Sequence, residues 1–300
     1  MLKETFWLTA GFNLLLSQET GEILSDFKKQ NIPVMILKGL TLAEFVYPHI
    51  GKRPMADIDL LVKKKDSRVV CERLGALGYT LKPGISGLSY IKEGPIPVCV
   101  DLRTEISYLK EEEIWNTARL ITINEEAAHV LSIEQNIIYL CYHVAIGHGY
   151  PHQRWLEDIH RFITHHRGEI DWQEVIRKIQ AYGFGIPCYW VLRRVKEVFQ
   201  TVLPEEVLSS LKPAHSLKAY IFKFIFQSKT PIPFIDYLLE MLFYPRQYIF
   251  SRVFPTKEFL QIRYNVNSPV VYVYYILRPM FLVINGIKGL CRFIYKKCSY

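Results

Sequence analysis

Long apolar runs, paired cysteines, low-complexity tracts and internal repeats are all missing from this chain. No stretch reaches the roughly 18 to 20 consecutive apolar residues of a membrane-spanning helix. The closest, Val270 to Leu290, is broken by Arg278-Pro279, Asn285 and Lys288. The six cysteines (Cys71, Cys99, Cys141, Cys188, Cys291, Cys298) are scattered without a CxxC pair. That excludes a disulfide framework and a cysteine zinc spacing, and makes a reducing cytoplasm the expected compartment. The N-terminus lacks the shape of a signal peptide: Gly11 to Leu16 is short, contains Asn13 and meets no small-residue cleavage site. Acidic residues are in deficit, 29 against 37 Lys and Arg, for a net charge of +8. Such a surplus favours nucleotides, nucleic acid or an anionic membrane as partner. Nucleic acid is the weakest of the three, because no short segment joins dense Lys/Arg to base-stacking aromatics.

What is present suits a packed protein. Half of the 300 residues are hydrophobic and 22% are charged, enough for one large domain or two ordinary ones. Leu14 to Gln30 carries apolar positions at helical spacing, and Ile32 to Leu37 reads as a buried strand. Lys38-Gly39 is then a turn into a short helix that Pro48 closes, and Gly51-Lys52-Arg53-Pro54 is a basic loop. Asp57 to Val62 reads as a strand and Asp66 to Leu77 as a helix stopped by Gly78. Short strands are expected at Tyr79 to Leu81, Leu88 to Ile91 and Pro97 to Arg103. After Ile123 the pattern turns helical, with a capping-box spacing at Ser132-x-x-Gln135 and further helices near 154–165, 171–182 and 187–202.

Successive strand residues face opposite ways, so Asp57 and Asp59 share a face, their α-carbons roughly 6.6 Å apart. Two carboxylates at that spacing can converge on a hard cation, and magnesium takes such oxygen ligands together with substrate phosphates. Asp101, on the strand PVCVDLR, is placed to add a third carboxylate. Upstream, Gly39 at a strand-to-helix turn would let phosphate approach the backbone, with Lys38 and Arg53 to neutralise its charge.

ILKGLTLAEFVYP, RPMADIDLLV and VDLR resemble the uncharacterised nucleotidyltransferase family of the polymerase-beta-like superfamily. LSIEQNIIYLCYH, RWLEDIHRFI and IDW resemble its helical region, so the likeness spans most of residues 30 to 205. It implies a Gly-Ser turn, an Asp-x-Asp strand and a third carboxylate working with two magnesium ions. Gly39 matches the turn glycine, Asp57 and Asp59 the pair, and Asp101 the third carboxylate. Two departures stand out: Leu40 replaces the serine, and Arg103 stands where relatives commonly carry histidine.

Other features have plainer explanations. His143, His148, His152, His160, His165 and His166 crowd one stretch, but His143 and His148 are five apart rather than at the helical i, i+3 or i, i+4 of zinc ligands. A structural role is therefore the expectation for them, and Asp158 is not counted as catalytic. From Ile262 onward six basic residues (Arg263, Arg278, Lys288, Arg292, Lys296, Lys297) interleave with aromatics, without Asp or Glu. This tail reads either as a helix packed on the domain or as a peripheral contact with anionic membrane.

The expectation is an α+β protein: a small mixed-sheet nucleotidyltransferase domain at 1–125, a helical domain at 126–260, and a basic aromatic tail at 261–300. The expected activity is magnesium-dependent transfer of a nucleoside monophosphate from an NTP, such as ATP, to a hydroxyl-bearing acceptor. Asp57, Asp59 and Asp101 would be catalytic and metal-binding; Lys38, Gly39 and Arg53 would bind phosphate. The alternatives are a catalytically impaired nucleotide-binding regulator and a membrane-peripheral protein acting through its tail.

Overall fold

In a computed structural model, the residues described are 2–82, 88–227, 239, 242–243, 253–264, 266, 269–281 and 283–284. The chain forms two compact units, 1–132 and 133–300. The basic tail residues Lys288, Arg292, Lys296 and Lys297 lie outside the described residues.

The first unit is built on a seven-stranded sheet in the order β3-β4-β5-β2-β1-β7-β6. Its strands are β1 (Val34–Leu37), β2 (Ile58–Val62), β3 (Thr80–Lys82), β4 (Leu88–Lys92), β5 (Val98–Arg103), β6 (Arg119–Ile123) and β7 (Glu126–Val130). β1 and β2 are antiparallel, whereas β2 pairs with β5 and β1 with β7 in parallel, so the sheet is mixed as expected. β1 and β2 are both buried along their whole length; β1 accordingly reads as a continuous apolar run, and β2 is apolar except for Asp59. β5 alternates instead: Val98, Val100 and Leu102 are buried, while Cys99, Asp101 and Arg103 face the other way.

Helix α1 covers Leu2–Lys29, twelve residues earlier than its apolar pattern suggests. Its buried stripe is Ala10, Asn13, Leu16, Ser17, Thr20, Ile23, Leu24 and Phe27. Three polar members hide the periodicity. Burying a side chain the size of Phe27 contributes about 1.5–3 kcal/mol, and the polar ones bond specific partners. Asn13 Nδ2 donates to the Ile50 and Arg53 carbonyls at 2.6 and 2.8 Å, tying α1 to the basic loop. That loop contains a 3-10 turn, Ile50–Lys52, pressed so close to α1 that a Cβ on Gly51 would stand 2.9 Å from the Phe6 carbonyl.

The unit's short helices include α2 (Gly39–Phe45), α3 (Ser67–Ala76) and α4 (Glu111–Asn116). α3 ends as its sequence foretells. Gly78 adopts φ 88°, and Tyr79 N–H donates back to the Leu74 carbonyl at 2.9 Å. The β6–β7 hairpin was not expected, because its turn is Asn124-Glu125 rather than an Asn-Gly pair. Both residues nevertheless take positive φ, 44° and 67°, the conformation a two-residue hairpin turn requires. Its second strand, β7, lies in the sheet beside β1, so Glu126–Val130 belongs to the first unit and not to the helical region.

The second unit opens with α5 (Ile133–Tyr142), directly behind Ser132. A π-helical turn (His143–Gly147) follows, then α6 (Gln153–His165), α7 (Trp172–Ala181) and α8 (Gly185–Phe199). α5 packs against α6, α7 and α8. Asp171 caps α7 by accepting the Glu174 N–H at 3.0 Å. Among the described residues no helix is long and apolar enough to cross a membrane.

Candidate active site

The strand register brings the expected carboxylates together. Asp59 of β2 and Asp101 of β5 are direct neighbours across a parallel pair, so both side chains leave the same face. Asp57 precedes β2 by one residue and stands within electrostatic reach of Asp59 and Asp101. Asp59 is almost wholly buried, one of few charged groups in an apolar core, and such a group needs a counter-charge.

Lys38 supplies that charge, its Nζ 3.0 Å from Asp59 Oδ2. The backbone bends sharply to allow it. Lys38 adopts φ 37° and ψ −105°, a region costly for a side chain larger than glycine's. Its carbonyl is held by Thr41 Oγ1–H at 2.7 Å and Leu42 N–H at 3.0 Å, which locks the turn into α2. The Arg103 guanidinium stands 3.7 Å from Asp59 Oδ1, and Ser89 Oγ–H donates to Asp101 Oδ1 at 2.6 Å.

The electrostatic balance is incomplete. Asp59 Oδ1 is buried without a hydrogen-bond partner. Burial, and then the charge of Asp59, push the Asp57 carboxyl up to about 6 against the pull of Lys38. An orphaned carboxylate oxygen beside a carboxylate reluctant to ionise is what a site fitted to a cation presents. Among the described residues no three His, Cys, Asp or Glu groups close up as a preformed metal cage. Like charges repel, and the Asp59 carboxylate is turned to Lys38 instead.

Gly39 and Arg53, expected on the phosphate side, lie together. A Cβ added to Gly39 would stand 3.5 Å from Met55 Sδ, 3.7 Å from an Arg53 guanidinium nitrogen and 3.8 Å from the Asp57 carbonyl. Gly39 therefore faces Arg53 and Asp57 directly, and Arg53 is buried. Helix α2 has only seven residues and is too short for a substantial dipole. Charge from Lys38 and Arg53 matters more here than the helix terminus.

The residue reading gave no site role to two neighbours of the carboxylates, Arg103 and Ser89. Arg103 shares the β5 face with Asp101 at a two-residue spacing, so alternation could have found it. Ser89 depends on the β4–β5 register, Ser89 opposite Asp101, which no local signal announces.

A mixed sheet with this strand–turn–helix–strand unit and carboxylates on neighbouring parallel strands has the form of a nucleotidyltransferase domain. The sequence comparison agrees: the chain belongs to the uncharacterised nucleotidyltransferase family, whose profile matches residues 1–200. No curated protein matches it. Similar solved structures include the antibiotic-resistance factor ANT(2'')-Ia, 15% identical with a TM-score of 0.41, the match covering 62% of this chain and 98% of that one. Another is an antigenic nucleotidyltransferase-like protein from Paracoccidioides brasiliensis, 12% identical with a TM-score of 0.40, covering 69% and 94%.

Proposed function

We propose that the first unit transfers a nucleoside monophosphate from an NTP to a hydroxyl on a small molecule or biosynthetic precursor, with magnesium held by Asp57, Asp59 and Asp101. The observation that carries this reading is the Asp59–Asp101 register together with the unsatisfied Asp59 Oδ1. Bound magnesium would supply Lewis-acid stabilisation of the triphosphate and the leaving pyrophosphate. Arg53 and the open backbone at Gly39 would receive phosphate oxygens. Lys38 holds Asp59 in place and carries positive charge on the same side. Ser89 fixes the Asp101 carboxylate through its hydroxyl, and Arg103 adds positive charge on the same face of β5.

The test is incubation of the protein with each labelled NTP, magnesium and a small-molecule cell extract. The expected result is a labelled adduct with pyrophosphate release, lost in Asp57→Ala and Asp59→Ala proteins of native circular dichroism. Normal turnover by a folded Asp59→Ala protein would sink the reading. NTP binding without any adduct would favour the regulatory alternative, for which Leu40 in the serine position is the supporting feature.

A further inference from the structure

Three of the clustered histidines have structural roles. His152 caps α6 by accepting the Arg154 N–H at 3.2 Å. His160 Nδ1 lies 2.8 Å from Thr201 Oγ1, its ring stacked on Phe199. His166 meets Glu169 at 3.0 Å. His143 and His148 form a different arrangement.

In a regular α-helix residues five apart point about 140° away from each other. Here the chain leaves the α-helix at His143 and makes a π-helical turn through Gly147. His148 N–H donates to the His143 carbonyl at 3.1 Å, an i to i+5 bond that sets one side chain over the other. The two imidazoles meet at 81°, with Nε2 facing Nε2 at 3.2 Å. Trp155 fixes the pair from α6, stacked on His148 at 3.7 Å and edge-on to His143 at 5.7 Å. Gly147 lies against His143: a Cβ there would stand 3.5 Å from His143 Nδ1, at ordinary contact distance. Both rings are only partly buried, so solvent species reach them.

Two imidazole nitrogens on one zinc ion, each about 2.0–2.1 Å from it, stand about 3.3 Å apart at the tetrahedral angle and about 2.9 Å apart at a right angle. The observed separation falls between. We propose that His143 and His148 form a two-imidazole chelate for zinc, on the second unit and chemically distinct from the carboxylate site. Imidazole nitrogen suits zinc and its transition-metal neighbours, whereas magnesium takes oxygen. Among the described residues no third protein ligand joins them, so the remaining coordination positions are for water or a bound molecule. Without metal one ring donates its Nε2 proton to the other. On binding, that ring shifts the proton to its own Nδ1 through water, both Nε2 lone pairs turn to the ion, and no net proton is released.

The test is calorimetric titration of the full chain with zinc in excess magnesium, which keeps oxygen sites filled. One site is expected in the wild type, weakened at least about tenfold in His143→Ala and in His148→Ala, and unchanged in His165→Ala. Equal affinity in all four proteins overturns the proposal, as does an equal loss in His165→Ala. If His148→Ala fails to fold, His148→Gln replaces it. Cobalt then gives a second readout: strong visible bands of a nitrogen-ligated, low-coordinate ion in the wild type support the chelate, and the faint spectrum of an all-oxygen octahedral ion overturns it.

Discussion

Replacing Asp57 by asparagine should stabilise the protein in the absence of divalent cations, although it abolishes transfer. Asp57 titrates at about 6 in the folded protein, against an ordinary 3.8, because burial and the neighbouring Asp59 penalise its charge. Between those values the folded state holds a proton that the unfolded chain has released. Stability is therefore complete below pH 4 and falls as pH rises through 6. At 1.36 kcal/mol per pKa unit the loss is about 3 kcal/mol, an upper value for a group that keeps some contact with water. Asparagine carries no such penalty. Thermal unfolding in chelator from pH 4 to 8 should show the two proteins alike at the acid end, and the variant several degrees more stable at pH 8. Magnesium should recover most of the gap for the wild type and nothing for the variant. A difference that stays flat across this pH range would refute the electrostatic reasoning, whatever happens to activity.

Lys38→Ala should destabilise the first unit by about 3 kcal/mol or more, since it leaves Asp59 buried without its ammonium. Lys38→Gly should lose about 1 kcal/mol less, because glycine accepts the positive φ; denaturant unfolding compares the two. Gly39→Ala should keep the fold, the new methyl meeting its neighbours at ordinary contact distance, yet weaken NTP binding about tenfold or more by crowding the phosphate side, as equilibrium binding would read. Gly51→Ala should cost about 1–3 kcal/mol, because the added carbon collides with the Phe6 carbonyl and Ala10, and thermal unfolding measures it.

The parts of the fold that were legible are those whose signals are local. Buried β1 announces itself as an apolar run, β2 as a strand from Asp57 to Val62, and Gly78 as a helix stop. The Asp57–Asp59 pair follows from strand period alone. What stayed hidden depends on partners distant in sequence. The first half of α1 buries Asn13 against Ile50 and Arg53, and a polar core position looks like surface until its partner is known. The Asn124-Glu125 turn is held by Asn124 Nδ2 donating to Ser17 Oγ at 2.8 Å, a contact spanning more than a hundred residues. The nearness of His143 and His148 stayed hidden for another reason: five-residue spacing separates side chains on an α-helix, and the chain there makes a π-helical turn instead.

The strained turn at Lys38 bears on how the protein comes to exist at all. A pocket of bare carboxylates couples folding to the supply of metal, since any ion that binds only the native state becomes part of its stability. Lys38 loosens that coupling at the most deeply buried carboxylate, because a covalently attached cation is present from the moment of synthesis. On the proposed reading, a newly made chain closes its sheet around Asp59 with Lys38 on Oδ2, and an ion that arrives afterwards adds at the unsatisfied Oδ1.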